Sequence, residues 1–362
     1  MSYSLCILLW FFPICLRMKL KYVLMNLEYV NKRFGDIVNK FGLVYEDAIS
    51  ENIGGEVNIE AVEYLVNGIK VSANMYLPPN FDENKKYSGI TVAHPNGGCK
   101  EQVAGLFAQK LAEMGYVTVA CDARYQGASE GIPRYRDYPS NRIEDVNGMV
   151  DYLTSLDFVE GIGSLGICGG GGYTLAAAQT DKRIKAVAVL SMFNTGRVRR
   201  NGFLDSDIEN IQERLNKAAE ARNKEISGEI LYEGETPEMS EEEIKALMES
   251  LPEGLYRDGV EYYGLTHKHP NSNSKYTTES LGKLMAFDVD DRMDLITQPL
   301  LMMAGDEADT KYMTDSAFKK AVNSKNKELF LIEGATHIKT YWVGEYVEKA
   351  LNKLEEFFCK EL

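Results

Sequence analysis

The segment Gly166-Ile167-Cys168-Gly169-Gly170 places a thiol between glycines, at the point where an apolar run gives way to small residues. A nucleophile held on a sharp strand-to-helix turn needs such glycines, because side chains two residues away on either side would clash. A helix expected over 172–179 would point its positive N-terminus at Cys168 and favour the thiolate. An inert buried cysteine in a turn is the alternative. A phosphate loop is excluded, because no G-x-x-x-x-G-K-[ST] pattern occurs.

His337 is the candidate base for this nucleophile. In a triad with the chain order nucleophile, acid, base, the base lies on a late loop. His337 fits because it follows the last predicted strand, in Gly334-Ala335-Thr336-His337. The acid is expected just after strand 299–305, in Gly305-Asp306-Glu307-Ala308-Asp309. Asp309 has the better spacing from the glycine, and Glu307 is the alternative acid.

An oxyanion hole requires two N–H donors aimed at the negative charge that develops on the substrate oxygen. The backbone of Gly169, directly after the nucleophile, is expected to supply one of them. The loop after strand 89–94, His94-Pro95-Asn96-Gly97-Gly98, is expected to supply the other, with Asn96 as the preferred donor. His94 is interpreted as a residue that shapes this loop.

The elements that must position these residues follow an alternating pattern. Asn67-Gly68 separates two alternating runs, 57–66 and 69–77, which predicts an antiparallel hairpin. Strands and helices then alternate, which predicts an α/β fold with a mostly parallel, doubly wound sheet covered by helices on both faces. Strands are predicted at 89–94, 116–122, 163–168, 184–191, 299–305 and 328–334, and helices at 26–42, 101–114, 143–157, 172–179, 314–322 and 343–358.

The alternation is interrupted between residues 196 and 290. Residues 207–250 are charged and helical in pattern, and a stretch rich in tyrosine, asparagine and histidine follows them. We interpret 196–290 as a helical cap inserted into a core formed by residues 26–195 and 291–362. Ligands of open α/β sheets bind beyond the carboxyl ends of the strands, so the cap is expected to cover Cys168.

Composition narrows the function classes. The net charge of −14 gives no electrostatic reason to bind nucleic acid or an anionic membrane. None of the six cysteines forms a CxxC pair, so no zinc module is indicated, and reduced thiols in the cytoplasm are expected. No metal or organic cofactor is implied, and the oligomeric state cannot be derived.

The first 25 residues are treated separately from the fold. Residues 4–16 form an apolar run that is short for a membrane span, contains Pro13 and has no basic residue before it. They are interpreted either as a signal or anchor or as translation from too early a start codon, because Met18 and Met25 follow closely. A chain that starts at Met25 is expected to fold and to be active.

Several segments together resemble one family of α/β-hydrolases. They include HPNGG, KEQVAGLFAQKLAEMGYVTVACDARYQGASEG, GICGGGGYTLAAAQTDKRIKAVAVLS, HPNSNSKYTTESLGKLMAFD and GDEADT with GATH. The family is similar to dienelactone hydrolase and related to fungal polyketide transferases, and the resemblance covers roughly residues 55–358. It implies the α/β-hydrolase fold and a Cys-His-Asp triad formed by Cys168, His337 and Asp309. In this family the elbow often carries alanine after the cysteine, whereas here Gly169 and Gly170 follow it.

The function expected from these residues is hydrolysis of an ester, lactone or thioester through an acyl-enzyme formed on Cys168. The alternatives are acyl transfer by the same triad, as in polyketide transferases, and a non-catalytic member that binds a small molecule. Substrate identity depends on pocket side chains of the cap, which sequence alone does not place.

Overall fold

In the computed structural model, residues 39–235 and 237–362 are described. The predicted hairpin is present, with β1 (Asn58–Val66) paired antiparallel to β2 (Ile69–Leu77). Asn67 and Gly68 have φ values of 50° and 77°, the left-handed backbone that a tight two-residue hairpin turn requires. The helix expected over 26–42 and the extension 1–25 lie mainly or wholly outside the described residues.

One eight-stranded sheet forms the centre of the fold. After β1 and β2, the described strands are β3 (Tyr87–Ala93), β4 (Val117–Cys121), β5 (Val159–Ile167), β6 (Ile184–Leu190), β7 (Tyr232–Glu233), β8 (Tyr276–Thr277), β9 (Leu300–Gly305) and β10 (Lys327–Ile332). The strand order of the large sheet is β1-β2-β4-β3-β5-β6-β9-β10, and only its pairings β1–β2 and β2–β4 are antiparallel. The central strands are almost fully buried, as expected for a sheet covered by helices on both faces.

Helices connect the parallel strands, as the alternating pattern predicts. The α-helices of the described residues are α1 (Val103–Glu113), α2 (Pro139–Thr154), α3 (Gly169–Thr180), α4 (Thr195–Asn201), α5 (Ile211–Ile226), α6 (Glu241–Ser250), α7 (Leu255–Glu261), α8 (Ser280–Met285), α9 (Lys311–Lys320) and α10 (Gly344–Glu361). Three helices begin earlier than expected. α2 begins at Pro139 instead of 143, α3 at Gly169 instead of 172, and α9 at Lys311 instead of 314.

Residues 196–290 contain most of the short helices and a two-stranded sheet in which β7 pairs antiparallel with β8. This region contacts the loops that carry the candidate site. Asn273 donates its backbone N–H to the carbonyl of Gly97 at 2.8 Å, and Leu255 donates to Asp309 at 2.9 Å. The Tyr262 hydroxyl accepts from the backbone of Val103 at 3.0 Å. The region therefore packs against the ends of the strands near Cys168.

In the part of the chain that the structure describes, no helix is both long and apolar enough to cross a membrane. Cys99, Cys121, Cys168 and Cys359 are free thiols.

Candidate functional site

Cys168 lies on the tight turn between β5 and α3. Its backbone adopts φ 56° and ψ −123°, a strained conformation for a residue with a Cβ atom. Neighbouring segments hold this conformation in place: Cys168 N–H donates to Leu190 O at 3.0 Å, and Cys168 O accepts from Phe193 N at 2.9 Å. The turn is therefore fixed by the adjacent strand β6 and the loop after it.

The glycines of the elbow permit three close approaches. A Cβ atom on Gly166 would lie 2.5 Å from the carbonyl oxygen of Gly170. A Cβ on Gly170 would lie 2.5 Å from the carbonyl oxygen of Ala93, at the end of β3. A Cβ on Gly169 would lie 2.1 Å from the side-chain oxygen of Asn96. Glycine at these positions lets the loop after β3 lie directly against the nucleophile.

The two expected oxyanion donors both lie at the Cys168 thiol. The backbone N–H groups of Gly169 and Asn96 are within hydrogen-bonding reach of its sulfur. The Asn96 side chain is held separately, because its Nδ2 donates to Thr195 Oγ1 at 2.8 Å. His94 pairs with the carbonyl of Pro95 through Nδ1 at 2.7 Å and accepts from the backbone of Ala123 through Nε2 at 3.1 Å. These contacts shape the loop, as expected for His94.

The charge state of Cys168 differs from the sequence expectation of a thiolate. Burial of the side chain raises the pKa of the thiol above its usual value. The Tyr341 hydroxyl, the N–H groups of Gly169 and Asn96, and the more distant Arg142 act in the opposite direction without overcoming burial. The N-terminus of a helix favours an anion, but here desolvation dominates. At pH 7 the Cys168 side chain is therefore a neutral thiol.

His337 is fully buried, and both of its ring nitrogens have hydroxyl partners. Nε2 lies 2.8 Å from Tyr341 Oη, and Nδ1 lies 2.6 Å from Thr310 Oγ1. Burial lowers the pKa of the imidazole to about 3, so the ring is neutral at pH 7. Tyr341 is also within hydrogen-bonding reach of the Cys168 thiol. Two donor patterns satisfy these contacts. In one, the thiol donates to Tyr341, Tyr341 donates to Nε2, and Nδ1–H donates to Thr310; in the other, every donor is reversed, and Tyr341 donates to the sulfur. The first pattern leaves Nε2 as the proton acceptor.

The structure does not pair Asp309 with His337. Asp309 Oδ2 accepts from the backbone of Leu255 at 2.9 Å, and Oδ1 is buried without a hydrogen-bond donor among the described residues. Burial raises the pKa of this carboxyl group. The position expected for the acid, at Nδ1, is taken by the hydroxyl of the next residue, Thr310. The alternative acid, Glu307, is exposed.

Sequence reasoning missed Tyr341 and Thr310. Thr310 directly follows the predicted acid, and Tyr341 follows His337 by four residues. Lys339–Tyr341 forms a short 3-10 helix, which places Tyr341 beside His337. No pattern in the sequence marks these two residues, although their short separation from the predicted acid and base could have drawn attention to them.

A second cluster of ligand-type side chains lies near the loop after β3. Donor atoms of Cys99, Glu101 and His269 lie within 4.8 Å of one another. However, His269 Nδ1 accepts from the backbone of Asn271 at 3.1 Å, and Glu101 Oε1 lies 2.6 Å from the ammonium of Lys100. These contacts link the cluster to Lys100 and Asn271, and we describe it as a hydrogen-bonded anchor for residues 267–271.

Comparison with known proteins agrees with the mostly parallel sheet and the strand–turn–helix elbow described above. The profile of the X-Pro dipeptidyl-peptidase (S15 family) matches residues 67–337. The uncharacterized protein YcjY of Escherichia coli (strain K12) is 38% identical over 301 residues, which cover 81% of this chain and 95% of that protein.

Solved structures share the fold. The structure of PA2218 from Pseudomonas aeruginosa has a TM-score of 0.77 and 28% identity, covering 90% of this chain and 99% of that chain. The α/β hydrolase GrgF from Penicillium sp. has a TM-score of 0.67 and 20% identity, covering 84% and 99%. With the mostly parallel sheet and the strand–turn–helix elbow, these matches establish an enzyme of the α/β-hydrolase fold, and the chain belongs to the X-Pro dipeptidyl-peptidase (S15) family.

Proposed function

We propose that this enzyme cleaves or transfers the acyl group of an ester, lactone or thioester through a thioester intermediate on Cys168. The observation that carries the proposal is the position of the thiol: it lies on the elbow, faces two backbone N–H groups and connects to His337 through a hydroxyl. A non-catalytic binding protein would have no need of this arrangement.

Acylation begins with transfer of the thiol proton. The proton of Cys168 passes to the Tyr341 oxygen as the Tyr341 proton passes to His337 Nε2. The sulfur attacks the substrate carbonyl carbon, and the resulting oxyanion accepts hydrogen bonds from Gly169 and Asn96 N–H. The carbon–oxygen or carbon–sulfur bond to the leaving group then breaks, and the leaving group takes the proton from His337 through Tyr341.

Deacylation repeats these steps with a second nucleophile. Water, activated by the neutral His337, hydrolyses the acyl-enzyme, whereas an alcohol or thiol in its place gives acyl transfer. Transfer is retained as the second candidate because a curated polyketide transferase from Penicillium sp. is 25% identical over 269 residues, covering 73% of this chain and 84% of that protein.

The properties of His337 favour some leaving groups over others. An imidazole with a pKa lowered to about 3 is a weak base, so full proton transfer to it is unfavourable. Thioesters and aryl or enol esters release anions of low basicity and depend least on protonation. Amides depend on it most. We therefore expect thioesters and activated esters or lactones to react faster than X-Pro peptides, the class that the family name describes.

The test is a comparison of acyl thioesters, p-nitrophenyl esters, lactones and an X-Pro p-nitroanilide, with wild-type enzyme and Cys168→Ala. Wild type should turn over at least one ester or thioester, and Cys168→Ala should have no activity above background while keeping its melting temperature. Mass spectrometry of wild type should find the acyl group on Cys168. Cys168→Ser should be much slower than wild type, because a hydroxyl needs stronger base assistance than a thiol.

Cys121→Ala is the matched control, because Cys121 is an equally buried free thiol at the end of β4. It should keep wild-type activity. Turnover that survives Cys168→Ala, or preferred cleavage of the X-Pro substrate, would contradict the proposal.

A further inference from the structure

A polar cavity of about 80 Å³ lies between the core and residues 273–276. The core side is lined by Asn96, Gln126 and Asp137, and the opposite side by Arg199 and the 273–276 segment. One water needs roughly 10–15 Å³ of such space. The cavity can therefore hold a group of several non-hydrogen atoms.

Three side-chain oxygens on the core side of the cavity have no hydrogen-bond donor among the described residues. Asp137 and Gln126 are only 7% and 6% exposed. One oxygen of each, and the side-chain oxygen of Asn96, are buried without a donor among the described residues. Buried polar atoms are almost always paired, and an unpaired one is costly. The amides of Asn96 and Gln126 can turn, but the carboxylate of Asp137 can only accept. A ligand that fits must therefore present a donor to Asp137.

The opposite side supplies positive charge. The Arg199 guanidinium lies over the ring of Tyr276, 4.4 Å from its centroid. The Lys275 ammonium is 2.9 Å from Glu235, which balances its charge. Arg199 and Asp137 then balance each other across the cavity. A charged ligand would be attracted by one of them and repelled by the other, so it gains no net attraction, whereas a neutral hydroxyl can donate to Asp137 and accept from Arg199.

Asn96 connects the cavity to the reacting thiol. Its backbone N–H is within hydrogen-bonding reach of the Cys168 sulfur, while its side chain lines the cavity. A Cβ on Gly169 would lie 2.1 Å from Asn96 Oδ1, so the side chain packs directly against the elbow. Asn96 is thus shared by the cavity and the surroundings of the thiol, so a group bound in the cavity lies next to the residue whose N–H faces the sulfur.

We propose that this cavity binds a hydroxyl group on the acyl chain of the substrate, so that the enzyme selects neutral hydroxyacyl groups over unsubstituted acyl groups. The proposal rests on the acyl-transfer chemistry proposed above and adds the class of acyl group to it.

Three N-acetylcysteamine thioesters of equal chain length test this selection: butanoyl, 3-hydroxybutanoyl and 3-aminobutanoyl. The leaving group is the same in all three, so differences in kcat/KM report on the acyl chain. We expect the 3-hydroxybutanoyl thioester to exceed the butanoyl thioester about tenfold or more, the size of a hydrogen bond to a buried charged group. Equal rates would mean that the cavity holds only water, and preference for the amine would mean that it binds a cation. Either result overturns the proposal.

Substitutions locate the selection in the cavity. Asp137→Asn and Gln126→Leu should each reduce the ratio of kcat/KM between the hydroxylated and plain thioesters. Asp291→Asn changes an exposed carboxylate on the Val289–Leu295 segment and should leave this ratio unchanged. If the ratio persists in Asp137→Asn, or both thioesters lose activity equally, the cavity does not recognise the hydroxyl.

A binding measurement separates this proposal from the proposed function. Calorimetric titration of the Cys168→Ala variant with the hydroxylated and plain thioesters does not depend on turnover. Tighter binding of the hydroxylated compound, weakened by Asp137→Asn in the same background, would support the cavity even if no thioester is cleaved by wild type. Equal binding of the two compounds would refute it even if cleavage is observed.

Discussion

At the residue scale, the Tyr341 hydroxyl lies between the Cys168 thiol and the His337 imidazole. This hydroxyl is 2.8 Å from His337 Nε2 and within reach of the Cys168 thiol, and the Tyr341 side chain is fully buried. The proposed proton path therefore includes a residue that a nucleophile–base–acid triad does not. Because both contacts converge on one oxygen, a single substitution interrupts the path without changing either catalytic side chain.

We predict that Tyr341→Phe lowers kcat about 10²-fold, the usual scale for losing one proton-transfer step. The ring is retained, so the melting temperature should fall little. Labelling of Cys168 by iodoacetamide at pH 7 should slow in parallel, because the thiol loses its route to the base. Tyr87→Phe is the control, since the Tyr87 hydroxyl exchanges hydrogen bonds only with the backbone of Asp82, at the far end of β3. Unchanged kcat and labelling in Tyr341→Phe would mean that His337 acts on the thiol directly.

The other nitrogen of His337 leads to a prediction about Asp309 and Thr310. Thr310 can orient the ring, but a hydroxyl cannot neutralise the imidazolium that forms during the reaction. Asp309 is the adjacent carboxylate and has one buried oxygen free of donors. We expect Asp309→Asn to lower kcat about 10²-fold or more and Thr310→Val about tenfold.

Glu307→Gln is the control for Asp309, because Glu307 is an exposed carboxylate of the same loop. It should be mild. If Thr310→Val lowers kcat as much as or more than Asp309→Asn, the Thr310 hydroxyl positions the His337 ring. That outcome would agree with the observed contact between Thr310 Oγ1 and His337 Nδ1. A larger loss in Glu307→Gln would move the acid to that residue.

At the element scale, the sequence predicts the parts of the fold that depend on local patterns. Asn67-Gly68 between alternating runs identifies the hairpin, and apolar runs identify each central strand. The start of α3 is missed by three residues because Gly169 and its neighbours are poor helix formers. Packing of Gly170 against Ala93 and the backbone contacts of Cys168 establish the helix at these glycines. Tertiary contacts here override local propensity.

In the candidate site too, some features follow from local sequence patterns and others depend on tertiary contacts. The placement of Cys168 beside the backbones of Gly169 and Asn96 can be predicted, because a strand–turn–helix elbow next to the loop after β3 determines where these backbones lie. The partners of His337 cannot, since they depend on how the loops after β9 and β10 pack together. The neutral thiol is also beyond sequence reasoning. A helix N-terminus is visible in the pattern, but the burial that outweighs it is a property of the folded chain.

At the scale of the whole molecule, three of the four histidines are buried in the neutral form. Desolvation lowers the pKa of His94 and of His337 to about 3, and that of His267 to about 4. Arg142 adds to the effect at His94. In the unfolded chain all three would titrate at the usual value near 6.5. At pH values between the folded-state and unfolded-state pKa values, the unfolded chain therefore binds more protons than the folded protein.

Proton binding by these histidines makes the folded protein less stable in acid. Below pH 6.5 the unfolded state takes up protons that the folded state refuses, so the free energy of unfolding decreases as pH falls. Between pH 6.5 and pH 5 the loss is about 2 kcal/mol for each of the three histidines, at 1.36 kcal/mol per pKa unit. The net charge of −14 acts in the other direction, because acidification relieves repulsion between carboxylates, but 0.15 M salt screens much of that effect.

Urea titrations at pH 7 and pH 5 in this salt should therefore show a clear drop in the free energy of unfolding. His267→Gln should reduce the pH dependence of the free energy of unfolding by the contribution of one histidine, because it removes one of the three buried groups. His267 is suited to this test because it lies outside the proposed proton path. A pH dependence of the free energy of unfolding that is as steep in His267→Gln as in wild type would contradict the prediction, because it would show that His267 accepts a proton in the folded state as readily as in the unfolded state.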